Sequence, residues 1–154
     1  MSTPETSARA KIDVLLSVSG WEVQDKAALN VTAARGVAVR EFPVDQKNQH
    51  KGYADYLLYV DGKPVGVLEA KRAESSPYNA EIQAKDYTNG LAENIDAPIR
   101  PLPFCYLSNG ELSLFSNGLD PHPRTRRIFQ FHRPETLCEW IAADPLPRWG
   151  GGWS

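Results

Sequence analysis

Hydrophobic positions change their period along this chain, and the changes mark out its elements. Ala8, Ile12, Leu15, Leu16 and Ser19 recur at helical spacing. Thr3, Pro4 and Glu5 precede them as an N-cap, a proline suited to the first helical position and an acid for the first turn. Gly20 stops that helix, and Trp21 to Val23 begin an extended segment. Residues 35–44 alternate as a strand does, and 45–52 form a polar loop. Tyr53 to Val60 and Val65 to Ala70 are aromatic and aliphatic on either side of the turn Asp61-Gly62-Lys63, which predicts a β-hairpin. Ser75-Ser76-Pro77 breaks the chain before a helix predicted over 79–91, and Pro98, Pro101 and Pro103 keep the following stretch extended. Phe104 to Leu107 and Glu111 to Phe115 flank Ser108-Asn109-Gly110, a second hairpin. Residues 120–127 read as a proline- and arginine-rich surface crossing, followed by a strand over 128–131 and a helix from Pro134 to about Ala143. This order predicts an α/β (α+β) fold, a mixed sheet flanked by helices.

Composition narrows the setting. A length of 154 residues with 42% hydrophobic content suits one domain, placed at 1–145, with 146–154 as a linker or an artificial end. The formal net charge of −2 gives no bulk attraction to nucleic acid, so any DNA contact falls to local clusters of Lys and Arg. Cys105 and Cys138 lie far apart without metal-ligand spacing and read as reduced core residues of a cytoplasmic protein. The N-terminus lacks an apolar signal segment, and no run approaches the ~20 apolar residues of a membrane span. No membrane partner is expected.

The candidate chemistry is a carboxylate–lysine cluster. Three acid-x-Lys triplets occur: Asp45-Gln46-Lys47, Asp61-Gly62-Lys63 and Glu69-Ala70-Lys71. The first sits in a polar loop and the second in a turn, where charges are ordinarily solvated. The third ends the apolar run Val65-Gly66-Val67-Leu68, and charges are rarely buried without a partner or a metal. Period-2 alternation puts Glu69 and Lys71 on one strand face. Two readings fit this pattern: a site, or a strand end that emerges into solvent. Pairing across the hairpin separates them, since Asp55 must share a face with Glu69. A two-residue Asp61-Gly62 loop pairs Asp55 with Leu68, on the wrong face. A three-residue loop, or a bulge of the same parity, pairs Asp55 with Glu69. Pro64, which cannot donate to a ladder, favours the odd loop.

Gln83 and Tyr87 follow, four apart on one helix face, where an amide and a phenol are able to hold a water or a phosphate oxygen. The run GYADYLLYVDGKPVGVLEAKR followed by Gln83-Ala84-Lys85-Asp86-Tyr87 resembles the N-terminal nuclease domain of the type I restriction enzyme R (restriction) subunit. That family belongs to the PD-(D/E)xK superfamily and carries a Q-x-x-x-Y motif. Glu5 to Ala8 through Gly20-Trp21, Ser108-Asn109-Gly110, and Asp120-Pro121 through Pro134 resemble it too, so the likeness covers nearly the whole chain. Ala54 stands where the superfamily name has proline.

The resemblance implies a restriction-endonuclease-like fold and a type I site-specific deoxyribonuclease, an Mg²⁺-dependent endonuclease module of a restriction–modification complex. In it Asp55, Glu69 and the Ala70 carbonyl bind the metal, with Glu5 a further candidate ligand. Lys71 stabilises the reacting phosphate or orients water, and Gln83 and Tyr87 position strand or water. Lys85, Arg72 and Arg9 are candidate DNA contacts. Implied partners are double-stranded DNA and the modification and specificity subunits. ATP belongs to a motor that this chain does not contain, since no G-x-x-x-x-G-K-[ST] loop occurs. The alternative is a nuclease-like DNA-binding or docking module, inactive without motor and partners. A thiol pair of Cys105 with His122 or His132 is disfavoured because Cys105 lies in an apolar strand, and the three histidines lack zinc-ligand spacing.

Overall fold

A computed structural model describes residues 4–25, 30–45, 51–71, 102–121 and 124–143; for 4–7, 41–45 and 51–54 it describes the backbone alone. The order is α1 (Pro4–Val18), β1 (Trp21–Asp25), β2 (Gly36–Asp45), β3 (Lys51–Val60), β4 (Lys63–Ala70), β5 (Phe104–Ser108), β6 (Ser113–Asn117), β7 (Arg126–Ile128) and α2 (Pro134–Ala142). The strands form one seven-stranded sheet in chain order. β1–β2 and β4–β5 are parallel, and the other neighbours are antiparallel. The mixed sheet with helices is therefore as the sequence predicts. A parallel pair needs a crossover, which residues 71–103 provide between β4 and β5. The helix expected over 79–91 falls outside the described residues.

The alternation of β3 and β4 divides two apolar layers. Tyr56, Leu58, Leu68 and Ala70 face one layer with Ile12 and Leu16 of α1 and Leu137 and Ile141 of α2. Leu57, Tyr59 and Val67 face the other, with Val37, Val39, Cys105, Leu107 and Leu114. A strand buried on both faces reads as a continuous apolar run, as β4 does. Gly20 adopts φ +93°, so the stop after α1 uses the left-handed region open to glycine. Among the described residues no helix is long and apolar enough to cross a membrane.

Three local expectations are corrected. The β3–β4 loop has two residues, not three: Val60 pairs with Lys63, and Asp61 and Gly62 both take positive φ (51° and 78°), as a type I′ turn requires. Pro64 does not oppose this loop. It pairs with Tyr59 one step beyond the bonded pair that flanks the turn, where a residue's missing N–H faces away from its partner strand. β3 begins at Lys51, inside the stretch read as loop. β7 spans Arg126–Ile128, so two arginines assigned to a surface crossing lie in a strand and the predicted 128–131 strand sits too late. As an exposed sheet edge, β7 has no apolar alternation to reveal it, and edge strands often carry charge.

Candidate functional site

The face of Asp55 is decided four residues before the site. In β3–β4 the register shifts between Leu58 and Tyr59, so Leu58 pairs with Gly66 while Tyr59 pairs with Pro64. Val65 is the extra residue. This bulge restores the parity that the two-residue loop removes. Leu57 then pairs with Val67 and Tyr56 with Leu68. One further step in that register sets Asp55 opposite Glu69, on the face of Leu57 and Val67.

Beyond Tyr56 the ladder gives way to a side chain. The Ala70 N–H donates to Asp55 Oδ2 at 2.8 Å, and the Lys71 N–H donates to the Ser108 carbonyl of β5 at 2.8 Å. β4 thus stays tied to its parallel neighbour while Asp55 takes the place of backbone on the other side. Arg9 of α1 donates from a terminal guanidinium nitrogen to Asp55 Oδ1. Lys71 Nζ lies 3.6 Å from Glu69 Oε1. Glu69 Oε2 is buried and has no hydrogen-bond partner among the described residues.

Both carboxyl groups are buried, Asp55 at 7% exposure and Glu69 at 5%. Burial, with the neighbouring Asp55 charge, pushes Glu69 up to about 8 against the opposing Lys71 charge. Burial also raises Asp55, against the Ala70 N–H and the Arg9 guanidinium, which support its charge. Burial and mutual repulsion thus favour a proton on the pair, and Asp55 has the better donors for its charged form. An acid pair of this kind, with one orphaned buried oxygen, is a suitable seat for a hard divalent cation. The donor set is small, since no group of three or more His, Cys, Asp or Glu residues gathers among the described residues.

α1 is braced against this corner. The Tyr56 hydroxyl donates to Asp13 Oδ1 at 2.6 Å and lies 3.2 Å from the Arg9 carbonyl, while Arg40 pairs with Asp13 Oδ2 at 3.3 Å. The structure thus brings together Asp55, Glu69, Ala70, Lys71 and Arg9. Arg9, expected as a phosphate contact, lies on the carboxylate itself. Glu5 falls in α1, its side chain not described. Arg72, Gln83, Lys85 and Tyr87 lie outside the described residues. Tyr56 and Asp13 do not stand out in the sequence, where Tyr56 reads as packing alone; the four-residue spacing of Arg9 and Asp13 on one helix face was the available signal.

Cys105 and His132 stand apart from this corner. Cys105 packs in the layer of Leu57 and Val67. His132 lies across the sheet, with Nδ1 2.7 Å from the Tyr106 hydroxyl and its ring against Phe115 and Trp140. These two residues cannot form a thiol–imidazole pair, and His122 is outside the described residues. Asp61 of the second triplet is exposed and pairs with Arg35 at 3.4 Å.

Residues 29–124, well over half of the chain, match the family described as type I restriction enzyme R protein N terminus. The type I restriction enzyme EcoKI endonuclease subunit of Escherichia coli (strain K12) is 24% identical over an alignment of 190 residues, covering 94% of this chain. A solved fragment assigned to the HsdR subunit of a type I restriction enzyme from Vibrio vulnificus YJ016 superposes with a TM-score of 0.66 at 24% identity, covering 93% of this chain. The chain spans 16% of the length of the first and 26% of the second.

Proposed function

Because this chain belongs to the family of type I restriction enzyme R protein N-terminal domains, we propose that it is the Mg²⁺-dependent DNA-cleaving module of such an enzyme, with Asp55, Glu69 and Lys71 at its centre. One observation supports this above the rest: two buried carboxyl groups share a sheet face at the point where the β3–β4 ladder ends, with a lysine two residues further on. Asp55 and Glu69 would hold the ion. The Ala70 carbonyl would add a third oxygen, since a strand residue's N–H and C=O leave on the same side and its N–H points to Asp55. When bound, Mg²⁺ supplies the Lewis acidity that polarises a phosphate oxygen and makes a water acidic.

The remaining steps belong to the chain. Lys71, already within 3.6 Å of Glu69, is placed to balance the charge that builds on the phosphate or to orient the attacking water. Burial of the pair keeps bulk water from screening these charges. Gln83 and Tyr87 would position strand or water, Lys85 and Arg72 would meet phosphates, and Glu5 would complete the ion's oxygen shell. Double-stranded DNA is the proposed substrate. Modification and specificity subunits are the proposed partners, in the cytoplasm, with ATP used only by a separate motor.

A second reading has an observation of its own: the chain spans 16% of the EcoKI subunit, so activity could depend on the remainder, leaving a docking or DNA-binding module. Cleavage of linear duplex DNA in Mg²⁺, with and without Lys71→Ala, separates the two. The nuclease reading expects cutting by the natural chain and a loss of at least ~10²-fold in the variant at unchanged DNA binding. Absence of cutting by either, with DNA still bound, favours the docking module.

A further inference from the structure

We infer that Arg9 is the built-in counter-ion of Asp55 in the metal-free protein and competes with a divalent cation for that carboxylate; the inference rests on the metal-site reading above. The four carboxylate oxygens carry the argument. Asp55 Oδ2 accepts the Ala70 N–H, Asp55 Oδ1 accepts Arg9, and Glu69 Oε1 lies beside Lys71. Glu69 Oε2 has no hydrogen-bond partner among the described residues. A cation drawing an oxygen from each acid has Glu69 Oε2 at hand, but on Asp55 it meets an oxygen already committed to a positive charge.

Charge points the same way. Among the described residues each acid already faces a cation, Asp55 facing Arg9 and Glu69 facing Lys71. Adding a divalent ion creates a like-charge clash with the guanidinium at close range. Arg9 is equipped both to stay and to leave. Its backbone is held where the Tyr56 hydroxyl lies 3.2 Å from its carbonyl and binds Asp13 one turn along. Its side chain keeps 34% exposure, against 8% for that of Asp55, so part of it already meets solvent while its Nε is buried. In that swung position it meets the approach of a polyanionic strand, which restores a phosphate-binding role to a residue that the metal-free site occupies otherwise.

Calorimetric titration of Mn²⁺ into the chain and into Arg9→Gln, Arg9→Lys and Asp55→Asn tests this, together with thermal melting with and without the ion. Arg9→Gln should bind Mn²⁺ about tenfold tighter than the natural chain, the scale expected when one nearby like charge is removed. It should also melt lower without metal and recover as metal saturates. Arg9→Lys, which keeps the charge, should bind near the natural affinity. In the natural chain the side-chain Nε–H resonance of Arg9 should move toward its solvent-exposed position on saturation with Mg²⁺, a readout available even where the Gln variant fails to fold. Binding that depends on Asp55 but is unchanged or weaker in Arg9→Gln would overturn the inference alone. Binding unaffected by Asp55→Asn would overturn the metal site and the inference with it.

Discussion

At the residue scale the decisive quantity is the proton shared by Asp55 and Glu69. Glu69 titrates near 8 in the folded chain, raised by burial and by the Asp55 charge, against an ordinary value of 4.5. The folded state therefore holds a proton that the unfolded state releases. Its contribution is fully present below pH 4.5 and is lost as pH rises toward 8. Urea denaturation of metal-free protein across that window should show stability falling, and Glu69→Gln, which fixes the neutral form, should lose most of the slope. A slope unchanged in Glu69→Gln would place the titrating group elsewhere. Mg²⁺ should also counter the fall, since an ion on the ionised pair stabilises the form that alkaline pH populates. Tyr56→Phe tests the brace behind the site. It deletes the 2.6 Å bond to Asp13 without changing the ring. The expected cost is about 1.5–3 kcal/mol in denaturant, the range for a hydrogen bond to a charged group; a cost near zero would mean that Arg40 alone holds Asp13.

At the element scale, the β3–β4 hairpin carries the site. Its backbone is most constrained where β4 meets β5, for a Cβ on Gly66 would lie 2.6 Å from the Phe104 carbonyl oxygen. That contact is backbone and cannot rotate away. Gly66→Ala should therefore cost about 1–3 kcal/mol or more, as overpacking a core does. It should also weaken the proposed metal binding by disturbing the strand that presents Glu69. Equilibrium unfolding checks the first effect, and a variant as stable as the natural chain would show that β4 and β5 can separate freely.

The same hairpin shows what the sequence could disclose. That Asp55 and Glu69 are buried, with Lys71 beside Glu69, was legible because alternation and burial are local properties of two apolar runs. The demand that Asp55 face Glu69 was legible too, but the device that meets it was not. Asp61-Gly62 is a two-residue turn signal, and the compensating Val65 bulge carries no residue-type signature of its own. Pro64 misled because its lack of an N–H matters only on the bonded side of a ladder. Arg9 could be noted as a cation but not placed, since its contact with Asp55 spans 46 residues and depends on how α1 packs. β7 was shifted because Arg126 stacks over Phe115 at 5.7 Å, using an aromatic surface where the sequence shows only charge.

At the scale of the whole molecule, the described sheet keeps its strands in chain order and buries both faces of its central members. One layer joins α1 and α2 to β3, β4, β5 and β6. The site sits where the described scaffold ends, on the layer opposite α1 and α2 but within reach of Arg9 from α1. Rigid strands thus hold the two acids, while the counter-ion comes from a helix. That division suits the proposed site, whose carboxylates would stay fixed as a cation and a strand of DNA arrive. Asp55 and Glu69 together are proposed as one divalent-cation seat. Crystals of the chain grown with Mn²⁺ and measured at its absorption edge test it most directly. The expected map has an anomalous peak bridging Asp55 and Glu69 beside the Ala70 carbonyl, with Arg9 turned away from Asp55. Ordered Mn²⁺ bound only elsewhere, with Arg9 still on Asp55 and nothing between the two acids, would contradict it.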